Sequence, residues 1–117
     1  MYNFITICTK KASTDPWHHD AYADISAHIT NCVEDYITVT GNSYTDISFV
    51  TNEDELTMTS TWPFANEADF NTWKGLIEAR DTYSAMVAVM DSFVDETDDR
   101  YKWVDNIWYF ESDFPNW

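Results

Sequence analysis

The stretch from Glu55 to Trp73 constrains the fold of this chain more than any other part of it. From Leu56 to Trp62, apolar or small residues alternate with threonines, and this period of two predicts a β-strand with one buried face. Pro63 has no backbone N–H to give to a ladder, so we expect the strand to end there. The stretch therefore predicts a strand that stops just before a helix.

The helix after this strand carries its own start signal. Asn66 is a residue type favoured at an N-cap, and Asp69 stands three residues later, where its carboxylate can reach back to the cap. Phe70, Trp73 and Ile77 recur at helical spacing and predict the face that the helix buries.

The helical pattern then changes direction, which predicts a break. The apolar face up to Ile77 does not continue at the helical repeat of about 3.6 residues, and a rotated apolar stripe runs from Tyr83 to Thr97. Gly75 is one residue that weakens the helix between the two stripes. We therefore expect two helical pieces, over residues 67–79 and 82–96.

The first half of the chain repeats these patterns. Tyr2–Thr9 is predicted to be a strand with apolar residues on both faces. Asp15 and Pro16 are expected to cap and open a helix that runs to about residue 34. Tyr44–Thr51 is predicted to be a strand that pairs antiparallel with Leu56–Trp62 through a short polar turn.

A last strand is expected over residues 101–111, where aromatic side chains occupy both faces. The order β-α-β-β-α-β is that of a ferredoxin-like α+β fold, a four-stranded antiparallel sheet with helices on one face and here with the second helix in two pieces. Residues 1–117 are expected to form one domain. The other sheet face needs a cover, so we expect a homodimer that stacks sheet on sheet.

The runs Leu56–Trp62 and Asn66–Phe70 resemble a pattern of dimeric α+β-barrel proteins, especially the antibiotic-biosynthesis-monooxygenase-like group. In that group a hydrophobic strand ending in Trp is followed by a short turn and a helix that opens with a Glu-Ala-Phe-like run. The chain departs from the group in its acidity and in a longer segment before the last strand. The resemblance implies a fold and a dimer, in a superfamily that includes cofactor-free oxygenases, haem-degrading enzymes and proteins with no known activity. In overall style the chain also resembles orphan bacteriophage proteins.

A formal net charge of −15 limits the partners of the chain. Nucleic-acid phosphates and anionic membrane surfaces repel such a protein, so neither is an expected partner. Two interpretations stay open: a charge that only maintains solubility, or a surface for a protein partner with a basic surface, including imitation of nucleic-acid phosphates. No apolar run approaches the length of a membrane span. A cytoplasmic location is expected, in the host cytoplasm if the chain is viral.

Cysteine and histidine positions give no metal motif. Cys8 and Cys32 are expected to be buried reduced thiols, although a disulfide stays open if their Cα atoms lie within about 7 Å. The run Trp17–Asp20 groups two histidines with an aspartate, but its spacing matches no standard zinc motif, and adjacent helical residues point about 100° apart. Neither a metal site nor a cofactor is expected.

His28 is the best single candidate for a catalytic residue, because Asp24 lies one helical turn earlier and could orient its ring. A core histidine that is satisfied by a hydrogen bond is the alternative. The candidate residues of a ligand pocket are Trp62, Tyr83, Met86 and Tyr109. For these residues the alternative is ordinary core packing.

No phosphate-binding loop, nucleotide fingerprint, nucleophile elbow or zinc pair occurs in the chain, so the sequence leans against an enzyme. We expect a non-enzymatic interaction or inhibitory protein, encoded by a phage, that binds a basic protein surface. The alternative is a cofactor-free enzyme or small-molecule-binding protein of the dimeric α+β-barrel type. That alternative predicts an aromatic pocket that contains His28, Trp62 or Tyr109. A structural component of a virion is a third hypothesis.

Overall fold

Strands and helices form two layers in the computed structural model, which describes residues 2–10, 12–94 and 105–110. The strands are β1 (Tyr2–Thr9), β2 (Ser48–Thr51), β3 (Thr57–Phe64) and β4 (Asp105–Phe110). The helices are α1 (His18–Ala21), α2 (Ala23–Thr40), α3 (Glu67–Glu78) and α4 (Asp81–Val94). Within these ranges, no helix has both the length and the apolar character needed to cross a membrane.

The strands pair antiparallel in the order β2-β3-β1-β4. β1 has the predicted bounds, and β2 and β3 form the predicted hairpin. In the central pair, Phe4 lies opposite Trp62 and Thr6 lies opposite Ser60. β4 is placed by its backbone pairing with the other edge of β1. It is the described part of the strand predicted over 101–111, and the rest of that range lies outside the described residues.

The α+β class is confirmed, but the predicted ferredoxin-like fold is wrong. That prediction gave the first crossover a single helix, whereas the chain forms four helices, with α1 and α2 in the first crossover and α3 and α4 in the second. β1, β2 and β3 form a three-stranded antiparallel sheet, and β4 is described by its backbone alone. The element order is therefore β-α-α-β-β-α-α-β and not β-α-β-β-α-β, although the division of the second helix into two pieces was predicted.

The first helical region departs from the prediction at both ends. α1 begins at His18, and the extended backbone of Tyr22, with φ −128° and ψ 116°, separates it from α2. α2 continues to Thr40, beyond the expected end near residue 34. It stops at Gly41, whose positive φ of 72° closes the helix in a conformation that glycine adopts without strain.

Lys10 explains why no helix opens at Asp15 and Pro16. The Lys10 side chain is buried, and its Nζ donates hydrogen bonds to the carbonyl oxygens of Ser13 at 3.1 Å and Asp15 at 2.9 Å. The same ammonium lies 4.2 Å from the ring centroid of Trp17, a cation–π contact. These contacts fold the segment around the ammonium, and the helix begins only after Trp17.

β2 is also shorter than predicted, since it begins at Ser48 and not at Tyr44. Residues Tyr44–Asp46 form a 3-10 helix, because the Ser43 and Asp46 side chains form a capping box around its first turn. Ile47 at the end of this helix is buried, whereas Phe49, two residues later, is 49% exposed.

β3 continues through Pro63, where the sequence predicted its end. Pro63 lies opposite Asn3, and the hydrogen-bond alternation of the β1–β3 pair turns its nitrogen away from β1. The Pro63 nitrogen faces the β2 side of β3. The last pair between β2 and β3 is Ser48 with Thr61, so no β2 residue lies opposite Pro63. The missing N–H therefore costs no ladder bond. The Tyr36 hydroxyl donates to the Pro63 carbonyl at 2.8 Å and satisfies the acceptor that faces the same side.

The helical layer packs on the sheet through an aromatic cluster. Trp73 of α3 is 1% exposed, and its ring centroid lies 5.2, 5.5 and 5.3 Å from those of Phe4, Trp62 and Phe64. Its Nε1 donates a 2.9 Å hydrogen bond to the Cys32 carbonyl of α2. One side chain thus joins α3 to both central strands and to the neighbouring helix.

The start of α3 follows the prediction. The Asn66 side chain caps the helix by accepting the backbone N–H of Asp69 at 2.9 Å. The predicted core residues of α3 are all buried: Phe70, Trp73 and Ile77.

Arg80 lies in the break between α3 and α4 and attaches it to α2. Its guanidinium donates to both carboxylate oxygens of Asp35, at 2.9 and 2.7 Å, and to the Asn31 side-chain oxygen at 3.0 Å. The Asn31 amide in turn donates to the Thr82 hydroxyl at 2.6 Å. A bidentate pair of this kind fixes geometry as well as distance, so it holds the break between α3 and α4 against α2.

The sheet face away from the helices is partly covered within one chain. Strand alternation places Asn3 and Ile5 on the face opposite Phe4. Ile5 is fully buried and Asn3 is 5% exposed. At Asn3 and Ile5, this face is therefore closed to water without a second subunit, whereas Ile7 farther along β1 is partly exposed.

We predict that Tyr36→Phe lowers the free energy of unfolding by about 1–2 kcal/mol, because the partly buried Pro63 carbonyl loses its hydrogen-bond donor and the Asn42 amide loses its acceptor. Tyr44→Phe is the matched control, since the Tyr44 side chain is 63% exposed. Urea unfolding followed by tryptophan fluorescence measures both. Equal stability of the two variants would contradict the role given to Tyr36.

Candidate functional site

A cavity of about 380 Å³ lies between the helical layer and the sheet. β1 and β3 form its floor, and α2, α3 and α4 contribute most of its walls, with further side chains from α1 and β2. The side chains that define it for the discussion below are Phe4, Thr6, Cys8, His18, His19, His28, Cys32, Phe49, Ser60, Trp62, Lys74, Glu78, Tyr83 and Met86.

The floor leaves room because side-chain size changes along the central strand pair. Phe4 opposite Trp62 is a bulky aromatic pair, but the next pair on the same face is Thr6 opposite Ser60. The Thr6 and Ser60 hydroxyls are hydrogen-bonded to each other, and Ser60 Oγ also accepts the Trp62 indole N–H at 3.1 Å. Two small side chains therefore stand where a second aromatic pair would have filled the space.

His28 of α2 lines the cavity as a neutral group. Its ring centroid lies 5.9 Å from that of Tyr83, and its Nε2 is 3.3 Å from Cys32 Sγ. Burial lowers the pKa of the His28 imidazole, because removal from water disfavours the charged form. A neutral imidazole presents one hydrogen-bond donor and one acceptor.

The two thiols that line the cavity are not reactive nucleophiles. Cys8 and Cys32 are unpaired, which confirms the prediction of free thiols. Burial raises the pKa of each thiol to about 12. At Cys32 the Asp35 carboxylate adds to this rise and the Arg80 guanidinium opposes it. Both groups are therefore protonated at neutral pH, and the thiolate is the form that reacts.

The ionised side chains of the lining lie at its exposed rim. Lys74 Nζ is 3.8 Å from Glu78 Oε1 on α3, and both side chains are roughly half exposed to solvent. Surface pairs of this kind contribute little to stability. Charge is thus confined to the edge of the cavity, while His28, Cys8 and Cys32 inside it are neutral.

The structure places most of the predicted site residues in this cavity. The members that it brings together are His28, Trp62, Tyr83 and Met86. Asp24 is exposed on the first turn of α2, and His28 contacts the Cys32 thiol instead of forming the predicted pair with Asp24. The side chain of Tyr109 lies outside the described residues. The roles of these residues in binding or catalysis stay predictions.

Thr6 and Ser60, which form the floor of the cavity, are among the lining residues that the sequence analysis did not assign to a pocket. Ser60 carried a signal, because it is a small polar residue on a strand face otherwise occupied by Met58 and Trp62. Its partner Thr6 depends on the register of two strands that are far apart in the chain, which no local pattern reveals.

In the described ranges, no group of three or more histidine, cysteine, aspartate or glutamate side chains is arranged to hold a metal ion. Of the adjacent histidines, His18 is buried at the cavity, and His19 lies 3.6 Å from Asp20.

Comparison with known proteins leaves the family open. No protein-family model matches the chain, and no curated protein is significantly similar to it. Among solved structures, the protein Atu4242 from Agrobacterium tumefaciens, a structural genomics target, aligns over 94% of this chain and 92% of its own, with a TM-score of 0.48 and 13% identity. A likeness of this size bears on neither function nor superfamily.

We predict that iodoacetamide alkylates the two cysteines about a thousandfold more slowly in the folded protein than in urea, because their raised pKa lowers the thiolate fraction by that order. Mass spectrometry of samples quenched over time measures both rates, and the unfolded protein is the control. Rapid alkylation of either cysteine in the folded state would contradict the burial assigned to it.

Proposed function

We propose that the protein binds a small, uncharged and largely apolar molecule in the cavity between the helices and the sheet. The cavity itself carries this proposal. Its volume of about 380 Å³ lies within the range of roughly 300–1,000 Å³ found for ligand pockets. It also exceeds the engineered apolar cavity of about 150 Å³ that binds benzene.

The apolar part of the lining favours a flat ligand. Trp62 and Tyr83 offer aromatic rings, and Met86 is an adaptable side chain that makes favourable sulfur–aromatic contacts. A ring system stacked among these side chains would gain both buried area and specific geometry.

The polar part of the lining favours a neutral ligand with one hydrogen-bonding group. His28 and the Thr6–Ser60 hydroxyl pair are neutral polar groups that can form a hydrogen bond with this ligand group. Among the described lining residues, Lys74 and Glu78 at the rim face each other. A ligand charge carried into the interior would lose its hydration without gaining an ion pair, which is costly.

The pair of His28 and Cys32 supports binding better than catalysis. A thiol beside an imidazole can act as a nucleophile when the imidazole removes its proton. Here burial raises the pKa of the Cys32 thiol and lowers that of the His28 imidazole, so both changes favour the uncharged pair. Of the two hypotheses that involve a pocket, we therefore favour a small-molecule-binding protein over a cofactor-free enzyme.

We also propose, as a second function, the binding of a partner protein with a basic surface. The distribution of charge favours it: no lysine or arginine occurs between residues 12 and 73, and the acids in that range include the exposed Glu53, Asp54, Glu55 and Glu67. A continuous negative surface attracts a positive partner and repels others. An inhibitory role and a phage origin rest on the sequence alone and stay predictions.

If charge attraction holds the partner protein, the complex should dissociate at high ionic strength, because salt screens exposed charges. Affinity purification from cells that express the protein, washed at low and at high salt, tests it. A partner that resists high salt would count against binding by charge attraction.

A homodimer and a cytoplasmic location are two further proposals. Burial of Ile5 within one chain weakens the physical reason for a dimer that stacks sheet on sheet, whereas the exposed Val50 on the same face supports it. Sedimentation velocity decides between monomer and dimer, and fractionation of expressing cells tests the location.

We predict that N-phenyl-1-naphthylamine, a neutral aromatic dye, binds the protein and accepts energy from Trp62 and Trp73. Met86→Trp should weaken this binding at least about tenfold, because the larger side chain occupies the cavity. The melting temperature of the variant should not fall if the added ring only fills space. Dye fluorescence and thermal unfolding measure the two effects.

Leu76→Trp is the matched control for this experiment. Leu76 lies on α3, is 43% exposed and does not line the cavity. Its replacement should leave dye binding unchanged. Absence of dye binding, or equal binding by Met86→Trp, would refute the proposal.

A further inference from the structure

We propose that the free edge of β2 docks an extended basic segment of another protein, which adds a strand to the sheet. This inference rests on the second function proposed above and names the surface that serves it. β2 is the first strand in the order β2-β3-β1-β4, so one of its edges faces no strand among the described residues. Addition of a strand to such an edge is a recurring mode of peptide recognition.

The hydrogen-bond pattern of the β2–β3 hairpin shows which backbone N–H and C=O groups of β2 point away from β3. Asn52 N donates to Thr57 O at 3.0 Å, and these residues continue the β2–β3 register. In an antiparallel pair the backbone groups alternate in direction, so those of Val50 point toward β3. The N–H and C=O of Phe49 and Thr51 then point to the free edge, where an added strand can bond them.

Apolar side chains flank this edge on both faces of the sheet. Phe49 is 49% exposed and meets Trp62 on the helix face, with ring centroids 6.2 Å apart. Val50 on the opposite face is 59% exposed, and Tyr44 just before the strand is 63% exposed. Proteins commonly protect an edge with lysine, proline or a bulge. The sequence of β2 is Ser-Phe-Val-Thr, and within the described part of the chain its short length is the protection that we find.

Negative charge at both ends of β2 selects the partner. Asp46 precedes the strand, and the turn after it carries Glu53, Asp54 and Glu55, all exposed. A segment with lysine or arginine at its ends would meet these carboxylates. A second copy would bring like charges together in a protein of net charge −15, and a four-residue strand buries far less area than a stable dimer needs.

The test uses a fluorescein-labelled peptide that alternates lysine and valine and is titrated into the full chain. Fluorescence anisotropy should show binding that weakens with salt, and amide chemical shifts should change at residues 48–51. A peptide that alternates glutamate and valine should not bind. The same basic peptide interrupted by prolines cannot complete a ladder, so it should bind at least about tenfold more weakly.

Two variants remove the edge in different ways. Thr51→Pro deletes an outward N–H that β3 does not use, and Val50→Lys places a like charge against the basic peptide. Each should weaken binding at least about tenfold. Leu76→Lys is the matched control, because it adds the same charge at an exposed apolar position of α3 away from the edge.

Absence of binding, or binding unchanged by Val50→Lys, would overturn the inference, and so would equal binding of the peptide interrupted by prolines. Sedimentation that shows a dimer abolished by Val50→Lys, without peptide binding, would assign the edge to a second copy instead. If a basic partner binds the protein but ignores Val50→Lys, the second function stands and only its assignment to β2 fails.

Discussion

The indole of Trp73 is the contact on which the arrangement of the two layers depends. It packs on Phe4 of β1 and on Trp62 and Phe64 of β3, and its N–H reaches the Cys32 carbonyl of α2. A flat, rigid side chain with one polar edge can fill a core and still direct a hydrogen bond. It fixes the height of α3 above the sheet at one end of the helical layer, and the space beyond it is the cavity.

The cavity and the charge of the protein belong to separate regions of the molecule. Inside the cavity, burial keeps His28 and the two thiols neutral. The exposed carboxylates include Glu53, Asp54, Glu55 and Glu67, and Lys74 and Glu78 lie at the cavity rim. A neutral interior suits an apolar ligand and an acidic exterior suits a basic protein. Neither of the two proposed functions requires the other, because each would use a different region of the molecule.

Local patterns predicted those parts of the fold that local physics decides. The period of β3 and the Asn66 cap were read correctly, because pleating and capping act over a few residues. Side-chain contacts and strand pairing overturned the rest. The Lys10 ammonium binds the carbonyl oxygens of Ser13 and Asp15, where a helix was expected to begin. Pro63 is tolerated within β3 because β2 ends beside it. The cavity itself arises from the pairing of Thr6 with a serine far along the chain.

Phe49 belongs to both surfaces, since it borders the free edge of β2 and also lines the cavity. An occupant of either site that changes the rotamer preference of this ring also changes the free energy of occupying the other. Thermodynamic linkage makes the effect equal in both directions. A cavity ligand that favours the Phe49 rotamer of the docked state raises the affinity for the partner protein by some factor, and the bound partner raises the affinity for the ligand by the same factor. One aromatic ring can thus act as the coupling element between a small molecule and a protein partner.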